Sequence, residues 1–319
     1  DLLVGDHFPF ATDKVLYELA WAQQSTKQED AAGATFARIV RDFADSPLTP
    51  EAAYHVGEHA YKKEDFAKAA SAYYTSMEKA GNTPLGEKAT YKLGWTYFRQ
   101  NDFEGAGKTF GYQQATWPKG PLAADAAFMA AECLFKQDKY QEALAAYEQI
   151  TKPANKDFEA LGLLHSGQAA GQLKQWDKSL ELLGKCIEQF PDSPHFPQAL
   201  YEKGWALQNQ NKLDDAVKAY ETVIAKATNQ EVAARAQFMI GEIQFQNKDH
   251  DRAVRRFYRV VAGYGYPKWQ ANAMYEAARC FEVLGRKDKA IEQYRELIQK
   301  HPQSDKVPLA KDQIKALGG

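Results

Sequence analysis

The chain has 319 residues, of which 45% are hydrophobic and 26% are charged, and its formal net charge is −2. This balance excludes a strongly basic protein with a general affinity for nucleic acid or for acidic membranes. No stretch approaches the roughly eighteen consecutive apolar residues of a transmembrane helix. The three cysteines, Cys133, Cys186 and Cys280, are too few and too widely spaced for a disulfide framework, so we expect buried free thiols.

The chain begins with a short segment that lacks a hydrophobic period. Residues 1–11 contain Gly5 and Pro9, and we interpret them as a leading arm that covers the first repeat. Residues 12–302 predict helical hairpins, each with a first helix, a short polar turn and a second helix. Residues 303–319 predict a short amphipathic cap. We expect the repeats to form one array without a domain boundary.

Small residues mark the period of the array. One lies in each first helix, at steps of 36 or 37 residues: Ala20, Gly57, Gly94, Ala131, Gly167, Gly204, Gly241 and Ala278. Another lies in each second helix, with the same steps: Ala32, Ala69, Ala106, Ala143, Ser179, Ala216, Ala253 and Ala290. Small side chains let helix backbones approach closely, so we expect the helices of a hairpin to cross where these residues meet. Eight copies predict an all-α fold in a single elongated array.

The third repeat shows most fully which family the sequence resembles. Its residues fit the pattern L-G-x2-Y, A-x3-F and P, and they are Leu93, Gly94, Tyr97, Ala106, Phe110 and Pro118. This pattern resembles the tetratricopeptide repeat, whose usual period is about 34 residues. The longer period of 37 is similar to tetratricopeptide proteins of the bacterial cell envelope, such as Tol-Pal-associated coordinators and lipoproteins that assist outer-membrane assembly. The resemblance implies an α-solenoid with a right-handed superhelix that binds macromolecules in the periplasm, while a cytoplasmic location stays open.

One short match to a catalytic pattern occurs inside the repeats. His55, Glu58 and His59 fit H-x-x-E-H, in which two histidines one helical turn apart hold zinc in a peptidase. Gly57 within this match is also the small residue of its repeat, which favours a packing role. We therefore predict no enzyme, no catalytic residue, no metal and no cofactor.

A basic stripe lies on the second helix of the seventh repeat. It consists of Arg252, Arg255, Arg256 and Arg259. We interpret it as a solvated surface, and an anionic partner or lipid headgroup is the alternative.

The concave groove is the predicted binding site. In solenoids of this type, residues three before, one after and four after the first small residue face the groove. Aromatic and acidic residues dominate these positions, although packing between first helices is the alternative role for the Tyr and Phe residues. We expect the Trp residues to be interface anchors. The predicted partner-binding residues are Tyr17, Trp21, Tyr54, Glu58, Tyr91, Trp95, Phe98, Phe128, Glu132, Phe135, Tyr201, Trp205, Phe238, Glu242, Phe245, Tyr275 and Arg279.

These features predict a non-catalytic scaffold that binds a segment of a partner protein, as part of a larger complex. Family members that clamp a C-terminal carboxylate use Lys and Asn in these groove columns, so that ligand is not expected here. A second hypothesis is a glycan such as a peptidoglycan strand, because Trp faces flanked by Glu and Gln suit a sugar. A third is a structural subunit joined through the edge of the solenoid.

Overall fold

A computed structural model describes residues 12–150 and 156–319. These residues form seventeen α-helices and no β-strand, so the predicted all-α class is confirmed. The leading arm predicted for residues 1–11 lies outside the described residues. The helices are α1 Asp13–Ser25, α2 Glu29–Asp42, α3 Thr49–Lys62, α4 Phe66–Ala80, α5 Pro84–Arg99, α6 Phe103–Thr116, α7 Ala123–Lys136, α8 Tyr140–Glu148, α9 Lys156–Gln172, α10 Trp176–Gln189, α11 Phe196–Asn209, α12 Leu213–Lys226, α13 Glu231–Gln246, α14 His250–Gly263, α15 Pro267–Val283, α16 Lys287–Lys300 and α17 Lys306–Ala316.

The first sixteen helices form successive hairpins, which agrees with the eight that the repeat predicts, and α17 follows the last. The described chain has two compact units, one ending at residue 162 and the other comprising residues 163–319. Within each unit, neighbouring helices pack together and bury mainly alanine, aromatic and branched aliphatic side chains. None of the helices in the described part of the chain has the length and apolar content that a membrane span requires.

The glycine of the first helix accommodates a large side chain of the second helix. A Cβ atom on Gly57 would lie 2.6 Å from the ring of Tyr73, and one on Gly94 would lie 2.7 Å from the ring of Phe110. The nearest neighbour of the glycine is therefore this ring and not the alanine that the sequence places opposite it. The same relationship recurs for Gly167 with Leu183, Gly204 with Tyr220 and Gly241 with Phe257.

Every hairpin turn contains one residue in the left-handed conformation. In the second hairpin this residue is Glu64, and the following N–H, of Asp65, donates to the carbonyl of Ala60 at 3.0 Å. This bond closes the first helix with a Schellman motif. Only the eighth turn has the residue type expected there, Gly285 with φ 71°. The others, with φ between 58° and 62°, are Lys27, Glu64, Asn101, Asp138, Lys174, Asn211 and Lys248.

Candidate partner-binding site

The predicted Tyr and Phe column packs inside its own hairpins. Each of its rings contacts the buried aromatic ring of the second helix, at centroid distances between 5.3 and 6.1 Å. Since these contacts join the two helices of a hairpin, they contribute to stability, and the role of these rings in partner binding stays a prediction. The pairs are Tyr17 with Phe36, Tyr54 with Tyr73, Tyr91 with Phe110, Phe128 with Tyr147, Tyr201 with Tyr220, Phe238 with Phe257 and Tyr275 with Tyr294.

The three tryptophans of the groove differ in exposure. Trp21 on α1 has 36% of its surface exposed, whereas Trp95 and Trp205 are half-buried. The ring of Trp205 lies against Gly171, where a Cβ atom would come within 3.0 Å of it, and it contacts the ring of Trp176 at 5.2 Å. Trp21 therefore offers the most free aromatic surface of the three.

The phenylalanines four residues after the small residue lie beside the hairpin turns. Each contacts the aromatic or histidine ring that opens the second helix of its own hairpin, with centroids 5.0 to 5.5 Å apart. All three are half-buried, so each keeps part of its ring accessible. The pairs are Phe98 with Phe103, Phe135 with Tyr140 and Phe245 with His250.

Two of the predicted groove glutamates bind a tyrosine of their own hairpin. The hydroxyl of Tyr73 donates to Glu58, and the hydroxyl of Tyr147 donates to Glu132, which is only 4% exposed. Glu58 also pairs with Lys92 Nζ at 2.9 Å. Burial, together with the adjacent Glu58 carboxylate, raises the pKa of Tyr73 far above its usual value. These two carboxylates are therefore already engaged within the first unit.

Glu242 in the second unit lacks such a bond. Its Oε1 atom is buried and has no hydrogen-bond partner in the described part of the chain. Burial, followed by the charge of Glu276, raises the pKa of Glu242 to about 7, and Arg279 and Lys306 oppose the shift. Arg279 itself binds Glu276 at 2.7 Å and lies over the ring of Phe245, 5.1 Å from its centroid.

The first unit contains a cavity of about 410 Å³ between α1, α2 and α3. Three of its lining residues, Gln24, Glu58 and Tyr61, occupy predicted groove positions on two neighbouring first helices. The repeat register therefore brings groove residues of adjacent hairpins to one concave site. The remaining lining residues are Glu29, Ala32, Gly33, Phe36, His55, His59 and Lys62.

The two histidines of the H-x-x-E-H match contact different neighbours. The ring of His55 stacks on Phe36 at a centroid distance of 4.8 Å, and burial lowers its pKa. His59 Nε2 faces Asp30 Oδ1 at 3.4 Å. Within the described ranges, no group of three or more His, Cys, Asp or Glu side chains is placed to hold a metal ion. Both histidines therefore contribute to the packing of α3 on α2.

The basic stripe on α14 is partly neutralised. Arg252 pairs with Asp249 at 3.3 Å, and Arg256 pairs with Glu221 on the preceding second helix at 2.9 Å. Arg255 and Arg259 are exposed. This arrangement agrees with a solvated surface.

Cations placed over aromatic rings are a feature that the sequence reasoning missed. The guanidinium of Arg235 lies 4.1 Å from the ring centroid of Tyr201, and Lys306 Nζ lies 5.6 Å from that of Tyr275. Arg235 and Tyr201 are 34 positions apart in the sequence, one repeat less one turn. A search for complementary residues at that spacing would have found the pair.

Sequence profiles and solved structures agree on the nature of the repeat. One profile of the tetratricopeptide repeat matches residues 17–87, 91–158 and 201–267, and a second matches residues 162–193 and 272–304. No curated protein is similar enough to the chain to count as a match.

Three solved structures show the same fold at low sequence identity. A tetratricopeptide repeat protein from Parabacteroides merdae is 15% identical, with a TM-score of 0.59, over 85% of this chain and 99% of that chain. The apo form of RapI is 16% identical, with a TM-score of 0.53, over 84% of this chain and 99% of its own. MamA from residue 41 onward, from Desulfovibrio magneticus, is 16% identical, with a TM-score of 0.50, over 57% of this chain and 97% of its own. Together with the profile matches, which cover most of the sequence, these structures show that the chain belongs to the tetratricopeptide repeat family.

Proposed function

We propose that the protein is a non-catalytic scaffold that binds a segment of a partner protein along its first helices. The observation that carries this proposal is the cavity of about 410 Å³, which Gln24, Glu58 and Tyr61 line from groove positions of adjacent hairpins. Its volume lies within the range of about 300–1,000 Å³ that is typical of ligand sites. Stacked repeats generally present such concave surfaces to their partners.

The chemistry of the cavity suits a side chain of a partner protein. The rings of Phe36 and Tyr61 supply apolar surface, while Gln24 and Glu58 supply polar groups that fix orientation. Trp21 lies next to this site, because its ring contacts the lining residue His55 at 4.8 Å. Partly exposed aromatic residues beside a pocket are the usual anchors of a protein interface.

A blocking substitution tests the proposal with little risk to the fold. Gln24 is exposed, so Gln24→Trp adds a large side chain at the cavity without removing a buried one. We expect the amount of partner protein captured from an extract of the source organism to fall about tenfold, a loss of about 1.4 kcal/mol. Ser71→Trp, on an exposed position of α4, is the matched control and should capture the same amount as the unmodified protein.

The other outcomes identify the competing hypotheses. Equal capture by Gln24→Trp and Ser71→Trp would contradict a groove site and favour a structural subunit joined through another surface. Retention on an insoluble cell-wall pellet would favour a glycan ligand. A periplasmic location, and a role like that of the Tol-Pal-associated or outer-membrane assembly proteins, belong to this proposal and rest on the 37-residue period alone.

A further inference from the structure

The cavity between α1, α2 and α3, which we call the first-unit cavity, has room for an aromatic ring. Its volume of about 410 Å³ is well above the roughly 150 Å³ of an engineered apolar cavity that binds benzene. Gly33 contributes no side chain to its wall, and a Cβ atom there would lie 2.6 Å from the ring of His59. The last five repeats have a larger residue at the position of Gly33, so this open wall is not a general feature of the repeat. These residues are Leu144, Leu180, Val217, Val254 and Ile291.

Every Lys and Glu side chain that lines the first-unit cavity already has a partner of opposite charge. Lys62 Nζ binds both carboxylate oxygens of Glu29, at 2.7 and 2.6 Å. Glu58 pairs with Lys92 Nζ at 2.9 Å and also accepts the hydroxyl of Tyr73. A charged side chain of a partner would have to displace one of these pairs or lose its hydration without compensation. The lining therefore favours an uncharged ligand.

Three further carboxylates, on α1, α2 and α3, lie outside the cavity lining. Asp30 on α2 pairs with Lys63. Glu51 on α3 lies 4.0 Å from the imidazole of His55, and its side chain is 43% exposed. Glu18 on α1 is also exposed. Solvent screens the charges of Glu51 and Glu18, so they add little to the selectivity of the cavity.

Three neutral polar groups of the lining, in contrast, are available. The amide of Gln24, the imidazole of His55 and the hydroxyl of Tyr61 make no hydrogen bond with the described residues. Burial lowers the pKa of His55, so at neutral pH its imidazole is uncharged and has one donor and one acceptor nitrogen. A hydroxyl group, which also donates and accepts, matches these partners.

Aromatic rings form the apolar part of the site. The ring of Phe36, which is 2% exposed, stacks on His55 at a centroid distance of 4.8 Å. Trp21 meets both rings edge-on, with its centroid 4.8 Å from His55 and 6.0 Å from Phe36. Edge-to-face and offset contacts between aromatic rings are more favourable than their buried area alone implies. A ring that enters the cavity therefore finds aromatic neighbours.

From these observations we infer that the first-unit cavity recognises a tyrosine side chain of the partner protein. The ring of this tyrosine packs beside Phe36 and Trp21, and its hydroxyl exchanges hydrogen bonds with His55 and the amide of Gln24. The inference rests on the proposed scaffold function and specifies the chemistry of the bound segment.

Four blocked pentapeptides test this inference on the full chain. They share the sequence Gly-Gly-X-Gly-Gly, with Tyr, Phe, Arg or Glu as X, and saturation-transfer NMR compares their affinities in the millimolar range. We expect the Tyr peptide to bind about threefold or more tightly than the Phe peptide, because only the Tyr peptide supplies a hydroxyl. The Arg and Glu peptides should bind at least about tenfold more weakly than the Tyr peptide, because the lining offers no free counter-ion.

A variant of His55 separates the hydrogen bond from a purely structural role. His55→Phe keeps a ring against Phe36 but removes the imidazole nitrogens, so the Tyr and Phe peptides should bind this variant equally well. His250→Phe is the matched control, because His250 is also half-buried against a phenylalanine ring, and the preference for the Tyr peptide should remain. Gln24→Trp should abolish binding of all four peptides. Melting temperatures verify that the variants are folded.

Three results would overturn the inference: undetectable binding of the Tyr peptide, preferential binding of the Arg or Glu peptide, or an unchanged preference for Tyr in His55→Phe. If capture of the native partner still depends on Gln24 in that case, the scaffold proposal stands and only the tyrosine ligand is rejected.

Discussion

Gly204 lies directly against the ring of Tyr220, so that a Cβ atom on Gly204 would come within 2.7 Å of Tyr220 Cε1. The ring of Tyr220 is fully buried and contacts Tyr201 at a centroid distance of 5.5 Å, while its hydroxyl donates to Gln208 at 3.1 Å. Both of these neighbours belong to the predicted groove columns. The missing side chain of one glycine therefore helps to position the groove of its hairpin.

Adding a methyl group at this position should destabilise the protein. We expect Gly204→Ala to lower the free energy of unfolding by about 1–3 kcal/mol, because the buried Tyr220 ring must shift. Chemical denaturation followed by circular dichroism measures the change. Gly184→Ala is the matched control: a Cβ atom there meets no atom within 4 Å, so the better helix propensity of alanine should stabilise the protein by up to about 1 kcal/mol. Equal effects of the two substitutions would contradict the packing account.

Glycine at a left-handed turn position should stabilise the protein. Lys174 has φ 58°, which a residue with a Cβ atom adopts at a cost of about 1 kcal/mol. We expect the relief of this strain in Lys174→Gly to raise the free energy of unfolding by about 0.5–1 kcal/mol. The entropy that glycine adds to the unfolded chain reduces this gain. Gly285→Ala, at φ 71° in the eighth turn, should have the opposite sign. A loss of stability in Lys174→Gly would show that the turn tolerates lysine without strain.

Gln113 occupies a core position where most other repeats have apolar residues, Ser76 being the other polar one. It is fully buried, and neither atom of its side-chain amide has a hydrogen-bond partner in the described structure. We expect Gln113→Leu to increase the free energy of unfolding by about 1–3 kcal/mol, because a buried unsatisfied polar group is removed. The corresponding residues of other repeats include Ile39, Val223, Val260 and Leu297.

A second buried glutamine provides the control for this prediction. Gln23 accepts a hydrogen bond from Thr35 at 2.8 Å, so Gln23→Leu should destabilise the protein by about 1 kcal/mol or more. Thermal and urea unfolding of both variants measure these changes in the free energy of unfolding. If both substitutions destabilise the protein, Gln113 has a hydrogen-bond partner, such as an internal water.

The raised pKa of Glu242 makes stability depend on pH. The folded chain holds this proton up to about pH 7, whereas the usual value for the side chain is 4.5. Between these values the folded state binds more protons than the unfolded state, so its stability falls as the pH rises through this window. Glu242→Gln removes this contribution.

We therefore expect Glu242→Gln to be more stable than the unmodified protein above pH 7, by about 1–2 kcal/mol, and similar to it near pH 4. The figure is smaller than the full shift implies, because the side chain is only half-buried and solvent screens its charge. Glu276, whose pKa is also raised by burial, acts in the same direction, so the comparison is made between the two proteins and not along one pH curve. If the free energies of unfolding of the two proteins differ by the same amount at every pH, Glu242 is not responsible for the pH dependence.

Local pattern was sufficient to predict the hairpins but not their polar contacts. The spacing of small residues placed Gly57, Gly94 and Gly204 on first helices, but it paired them with alanines and not with the aromatic rings sixteen positions later. The same spacing did not distinguish Glu58, which binds Tyr73 and Lys92, from Glu242, whose Oε1 has no partner. Both are glutamates at one repeat position, and the residues around them decide the difference.

The sequence by itself determined the helical class, the period and the family, because helix periodicity and the alternation of small and large side chains recur in every hairpin. Only the tertiary structure decided which groove residues are free. Residues such as Arg235 and Tyr201 meet across neighbouring hairpins, and that contact depends on how adjacent units pack. The left-handed residue at each turn also emerged only from the backbone, since lysine, glutamate, asparagine and aspartate share one conformation there that their side chains do not indicate.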